Sequence, residues 1–225
     1  MQLEIARREL TAAAATFGLT LERAQQDALL GHLALLEKWN RVYNLTAVRN
    51  VEGMLRQHLI DSLAAVAPLT RELKGKANAR ILDVGSGAGL PGVVLAIALR
   101  HVQVICVDTV GKKASFVQQA GAELGLDNLR SVHARIEQLD PARCDVVTSR
   151  AFASLSKFVD LTRQHLAPEG VWMAMKGKIP SEEIAALAVD QEVFHVEPVI
   201  VPALAAERCL VWMRPRQAAS RSPSA

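Results

Sequence analysis

The sequence predicts an α/β fold: a mostly parallel sheet of seven strands with helices on both faces, preceded by an N-terminal helical extension. Three observations predict it. From Arg80 onward, short apolar runs alternate with helix-length stretches, as in successive βαβ units. The first 70 residues instead repeat apolar positions at helical spacing. A glycine-rich turn, Asp83-Val84-Gly85-Ser86-Gly87-Ala88-Gly89-Leu90-Pro91-Gly92, ends the first apolar run and opens the helix that follows. With 225 residues, 50% of them apolar, the chain can bury one core and is too apolar to be disordered.

In the extension (residues 1–70), Thr20 is a plausible N-cap for a helix carrying Leu21, Ala24, Ala28, Leu29, Leu33, Leu36 and Trp39. A second amphipathic helix carries Leu55, Leu59, Leu63 and Val66 and stops before Pro68. In the main domain (71–214), strands are expected at Arg80–Val84, Val102–Val107, Arg130–His133, Cys144–Ser149 and Gly170–Met175. Helices are expected near Pro91–Leu99, Gly111–Leu124, Leu155–Leu166 and Ser181–Val189. Val193–Val201 and Cys209–Met213 read as two more strands joined through Pro202. Residues 215–225, rich in Ser, Pro, Ala and Arg without apolar period, read as a flexible basic tail.

The glycine turn is suited to hold a cofactor. Glycines there permit positive φ and close backbone approach, Pro91 suits a first helical turn, and a helix N-terminus presents free N–H groups. Gly87-Ala88-Gly89-Leu90-Pro91-Gly92 also fits the G-x-G-x-x-G spelling of dinucleotide binders, with Asp108 near the distance of a ribose-binding acid. The register is off, however, because the first glycine after the strand is Gly85. The additional Asp83 would accept hydrogen bonds from an ammonium group and would repel a pyrophosphate, which favours a zwitterionic amino-acid cofactor.

The acidic-x-Gly-x-Gly-x-Gly element resembles the first motif of class I S-adenosylmethionine-dependent methyltransferases, a Rossmann-like fold. Further segments narrow the likeness: Trp39-Asn40-Arg41-Val42-Tyr43-Asn44-Leu45-Thr46-Ala47-Val48, His58-Leu59-Ile60-Asp61-Ser62-Leu63, Gly89-Leu90-Pro91-Gly92, Ser149-Arg150-Ala151-Phe152-Ala153-Ser154-Leu155 and Lys176-Gly177. In this order and spacing they resemble the bacterial 16S ribosomal RNA guanine-N7 methyltransferase G family, also called glucose-inhibited division protein B. The resemblance runs from about the second helix to the last strand. It implies S-adenosylmethionine as cofactor, 16S ribosomal RNA or the small ribosomal subunit as partner, and an antiparallel pair at the end of the sheet. It also implies cofactor contacts by Asp83, Gly85, Ser86, Gly87, Leu90, Ile136, Glu137 and Arg150, with Asp108 on the ribose hydroxyls.

In open parallel sheets ligands bind beyond the carboxyl ends of the strands. Lys112, Lys113, Arg150, Lys176 and Lys178 all fall in such positions, a local concentration that suggests an anionic substrate although the net charge is only +3. Arg150 ends an apolar strand, so its charge must be paired or face a cavity; we read it as the positioning residue of the reaction. Arg41, Arg56 and His58 of the extension join the lysines as candidate RNA contacts. His58 and Asp61, one helical turn apart, suggest a charge-assisted pair. Tyr43, Trp39 and Phe152 are candidates for stacking on an extruded base, with core packing the plainer role for the latter two.

The loop after the fourth strand carries neither an Asn-Pro-Pro-Tyr type element nor a proline-cysteine nucleophile, and Cys144 begins its strand away from the reacting edge. That agrees with attack by guanine N7, which exposes a lone pair and has no proton to lose, so in-line displacement needs no general base. The scattered histidines show no metal-ligand spacing. No apolar run reaches membrane length and residues 1–8 lack a signal-peptide pattern, so a cytoplasmic monomer with reduced, buried cysteines is expected. Two rivals stay open from sequence: a methyltransferase on another substrate, and an RNA-binding regulator that senses the cofactor.

Overall fold

A computed structural model describes residues 3–202, 204 and 206–216. The extension supplies α1 (Leu3–Thr16) and α2 (Arg23–Tyr43). Thr20 is not the N-cap of α2: Glu22 is, and its amide donates to Gln25 Oε1 at 2.9 Å. The Gln25 amide also donates to the carbonyls of Ile97 and Ala98 at 3.4 and 3.1 Å, which ties α2 to the main domain. Next come α3 (Val51–Met54), a π-helical turn at Leu55–Ile60, α4 (Asp61–Leu63) and α5 (Val66–Glu72). Pro68 does not end the helical run, because it sits in the first turn of α5, where its missing N–H leaves no carbonyl without a donor.

From residue 80 the elements alternate as the apolar runs foretell: β1 (Arg80–Val84), α6 (Gly92–Ala98), β2 (Gln103–Asp108), α7 (Gly111–Glu123), β3 (Leu129–His133), β4 (Cys144–Arg150), α8 (Leu155–Thr162), β5 (Leu166–Lys176), α9 (Ser181–Ala185), β6 (Gln191–Val199) and β7 (Arg208–Pro215). The single sheet has the order β3-β2-β1-β4-β5-β7-β6. β1 to β5 are parallel, while β7 runs antiparallel to both β5 and β6. Residues 215 and 216, expected in the basic tail, instead belong to the sheet edge, because Pro215 pairs with Gln191 and the Arg216 amide donates to Asp190 at 2.8 Å; the rest of that expectation, residues 217–225, lies outside the described part.

Successive strand residues alternate between two cores, as the period of two requires. Ile81, Val104, Cys106, Val146 and Met173 pack with α2, α6 and α7 on one face, and the same apolar cluster takes in Leu10, Leu29, Leu36 and Leu59 of the extension. Leu82, Val107, Val147 and Trp172 pack with Phe158 and Val159 of α8 on the other. The extension therefore shares one core with the sheet. Among the described residues no helix is long and apolar enough to cross a membrane.

Candidate functional site

Two clefts open along the carboxyl edge of the parallel strands. The first, about 390 Å³, lies beyond β1, β2 and β3 and is lined by Gly85, Asp108, Lys113, Ile136, Glu137 and Phe152 among others. Gly85 takes φ +70°, and a Cβ built on it would meet no protein atom within 4 Å, so the backbone itself forms that part of the wall. Three amides at the start of the turn are engaged inside the protein: Gly85 and Ser86 donate to the Val107 carbonyl at 2.8 and 3.1 Å, and Gly87 donates to Asp108 Oδ2 at 2.8 Å. A pyrophosphate would need those amides. The geometry thus agrees with the reading of the turn as something other than a dinucleotide site.

Asp108 braces the turn with both oxygens, since Oδ1 accepts from the Val110 amide at 2.8 Å. Each oxygen retains a second lone pair at the cleft wall. Ile136, buried in a short 3₁₀ turn after β3, gives the cleft an apolar side, and Glu137 beside it lies exposed. Leu90 is buried behind the turn.

Asp83 departs from expectation. Its carboxylate does not line the cleft; it is fully buried beneath the turn, with Oδ2 accepting from the Gly92 amide at 2.8 Å and Oδ1 without a partner among the described residues. Desolvation raises its pKa to about 7, against the opposing pull of the Gly92 amide and the Arg150 charge. Gly92 is required for this packing, because a Cβ there would collide with Cys106 Sγ and Asp83 Oδ2.

The second cleft, about 360 Å³, lies beyond β4, β5 and β7 and is lined by Gln57, Asp61, Arg150, Met175, Lys176 and Arg208. Its centre is Asp61, whose side chain is only 4% exposed and accepts from two guanidiniums: Arg150 Nη1 at 3.1 Å and Arg208 Nε at 2.7 Å. Arg150 Nη1 also donates to the Gln57 carbonyl at 2.9 Å. The π-helical turn exposes that carbonyl. Asp61's amide bonds to Arg56 and His58 oxygens, and so not to the Gln57 oxygen four residues back that an α-helix would use. Arg150 is therefore pocket-facing and paired, as its position at a strand end requires.

Several expected contacts are otherwise engaged. His58 and Asp61 do not pair: His58 Nε2 bonds Thr46 Oγ1 at 2.8 Å, while Asp61 serves the arginines. Burial, and then the nearby Arg150 charge, depress the His58 pKa to about 4, so the ring is neutral and holds the loop that Asn40 also anchors. Lys176 is tied to Glu183 at 3.0 and 2.8 Å, Arg56 to Glu9 and Glu52, and Arg41 to Glu37. Lys112 and Lys178 are exposed, and Lys113 borders the first cleft. Trp39 packs on Phe116 and Tyr43, and Phe152 packs on Phe158 at the cleft wall. Cys144 is buried with its thiol pushed up to about 11, which removes it as a nucleophile near neutral pH. Arg208 was not foreseen. A search of strand carboxyl ends passes over it because β7 is antiparallel, so its first residue lies at that same edge; a charged residue directly ahead of the apolar run Cys209–Met213 is the signal that finds it.

Comparison with known proteins agrees with this geometry. A family model described as rRNA small subunit methyltransferase G matches residues 25–211. A ribosomal RNA small subunit methyltransferase G from Methylibium petroleiphilum is 62% identical over 195 residues, spanning 87% of this chain and 88% of the relative. One of the same name from Leptothrix cholodnii is 57% identical over 214 residues, spanning 95% and 98%. Among solved structures, a SAM dependent methyltransferase from Aquifex aeolicus superposes with a TM-score of 0.53 at 17% identity over 72% of this chain and 92% of that one. The ribosomal protein L11 methylase of Lactobacillus delbrueckii subsp. bulgaricus gives 0.54 at 13% identity over 72% and 79%. These two likenesses concern the fold. The matched span contains the glycine turn, Asp61, Asp108, Arg150 and Arg208, and on this match and these identities the chain belongs to the rRNA small subunit methyltransferase G family.

Proposed function

We propose that the protein transfers a methyl group from S-adenosylmethionine to N7 of a guanine in 16S ribosomal RNA, acting as a cytoplasmic monomer on free RNA or on the small subunit. The observation that carries this reading is the adjacency of the two clefts on one sheet edge, one bounded by Gly85 and Asp108 and the other by guanidiniums. The residues present fit the cofactor. Asp108 has lone pairs for ribose hydroxyls, Ile136 and Phe152 offer apolar surface to a purine, the bare backbone of Gly85 permits close approach, and the unpartnered Oδ1 of Asp83 is a buried acceptor beneath the turn.

Bound there, S-adenosylmethionine supplies an electrophilic methyl group. The protein's part is to bind, orient and exclude water. Arg150 is anchored by Gln57 and Asp61 in the second cleft, at the end of β4 beside β1, which suits a positioning role; N7 carries no proton, so no side chain is required to remove one. A donor such as Arg150 is useful toward O6 or a phosphate and must leave N7 open to the methyl.

The test is methyl transfer from labelled cofactor to ribosomal RNA, free and in particles, followed by mapping of the modified base. Label confined to N7 of one guanine in the small-subunit RNA is expected. Label on another atom, or none on either form of substrate, refutes the proposal.

Asp83 adds a pH dependence. Its raised pKa means the carboxylate is neutral well below pH 7 and charged above it, so this group favours the fold at low pH and that contribution is lost as pH rises through about 7. A cation bound nearby favours the charged form. Cofactor affinity is therefore expected to rise as pH increases toward 7.5, with proton release on binding below pH 7, read by calorimetry in buffers of different ionisation enthalpy. Asp83→Asn should abolish the proton release; persistence in that variant would assign the proton to another group.

A further inference from the structure

We propose that Arg208 binds a phosphate of the RNA strand, and that Asp61 holds it in place for that task. The inference rests on the reading of the protein as an RNA methyltransferase and names the contact that reading lacks. Arg208 is the first residue of β7, beside the carboxyl end of β5, where Cys209 pairs with Lys176. Its Nε donates to Asp61 at 2.7 Å and its Nη1 to the Glu207 carbonyl at 2.8 Å, while Nη2 has no acceptor among the described residues. The side chain is 26% exposed, so the fixed guanidinium has an open edge.

The charge around it favours an anion. Lys176 is neutralised by Glu183, and Asp61 alone faces Arg150 and Arg208, which leaves one positive charge in excess in a cleft with one buried carboxylate. A guanidinium held on one side by a carboxylate and open on the other is arranged to offer paired donors to a phosphate.

Position separates this anion from the cofactor. The strand order places β7 three strands from β1, about 14 Å at the usual spacing. The cofactor cleft lies over β1, β2 and β3, whereas Arg208 and Arg150 both line the second cleft. Arg208 also borders a further trough of about 470 Å³ that leads outward over Val199, Val201 and Ile179, with exposed Lys178 on its side and one acid, exposed Glu207, at its inner end. Two cations and one acid set in a mostly apolar trough suit a single nucleic-acid strand, whose backbone is charged and whose bases are not.

The experiment compares wild type, Arg208→Gln and Arg208→Lys on a small-subunit ribosomal RNA fragment. RNA affinity is measured by fluorescence anisotropy across a salt series, cofactor affinity by calorimetry, and methyl transfer in steady state. Arg208→Gln is expected to weaken RNA binding about tenfold and raise the RNA KM to match, with kcat within about twofold. The slope of log affinity against log salt should shrink by about 0.7, the value of one phosphate on a single strand. Cofactor affinity should stay at the wild-type level, and Arg208→Lys should recover most of the RNA affinity through charge alone. An unchanged RNA affinity and salt slope in Arg208→Gln, with wild type binding RNA normally, overturns this inference and leaves the proposed function standing. Weakened cofactor affinity with intact RNA binding also overturns it and assigns Arg208 to the cofactor carboxylate. Equal loss in Gln and Lys variants, tracking a fall in thermal midpoint, reduces Arg208 to a structural partner of Asp61. A wild-type protein that binds no RNA overturns the proposed function itself.

Discussion

Gly85→Val is expected to lower cofactor affinity by about a thousandfold, an effect of roughly 4 kcal/mol, while leaving a folded protein. Two physical effects act at this position. With φ at +70°, any side chain is strained and a β-branched one most of all. Because a Cβ there meets no protein atom within 4 Å, the two methyls project into the cleft and occupy ligand space without displacing the core. Gly125→Val separates these effects. Gly125 has φ +59° and equally open surroundings but lies at the end of α7, away from the cleft. It should carry the backbone penalty, about 1–2 kcal/mol, and bind cofactor normally. Calorimetry on both variants is the check, and a Gly85→Val protein that binds as tightly as wild type would remove the turn from the site.

Arg150→Ala is expected to lower kcat/KM by about a hundredfold to a thousandfold, the range for lost positioning at a reacting centre. The fold should persist, since Asp61 keeps Arg208 as partner and is not left as a bare buried charge. A second readout follows from electrostatics. Arg150 lowers the pKa of both His58 and Asp83, so its removal should raise both. Histidine titration by NMR should show His58 moving upward from about 4. The loss of activity should deepen below pH 7, where Asp83 is then more fully protonated. Turnover equal to wild type would show that the guanidinium neither positions substrate nor touches cofactor.

Legibility in the sequence followed the physics of each element. β1 is found at Arg80–Val84 as expected, because Ile81, Leu82 and Val84 are buried in a central parallel strand and a glycine follows directly. β5 begins at Leu166 where Gly170 was expected, since its first residues pair irregularly beside a bulge and their pattern is broken by Pro168 and Glu169. The glycine turn, Asp108 and Arg150 could be named because each sits at a strand end that the periodicity marks, whereas Ile136 and Glu137, in a short turn past the end of β3, were named only through the family resemblance. Arg56 and Lys176 were legible as cations but not as fully engaged ones: Glu52, four residues before Arg56, follows the helical pattern, whereas Glu9 lies 47 residues away and no local pattern links it to Arg56. Asp83 was legible as an acid of the turn, but not its burial, which depends on the approach of Gly92 permitted by the absence of a side chain there.

The π-helical turn was hidden altogether, because Leu55, Leu59 and Leu63 recur at a spacing that an ordinary helix also satisfies. It makes the number of residues between α3 and α4 part of the site. Deleting one residue between Leu55 and Ile60 would let the segment relax to regular geometry with little net rotation, because the wider π turn spends its extra residue on a slower winding. Asp61 would keep its place, but the Gln57 carbonyl now open to Arg150 would be taken by an amide of its own helix. The extra residue frees one acceptor, and losing it would take an anchor from Arg150 although every side chain of the clefts remained present.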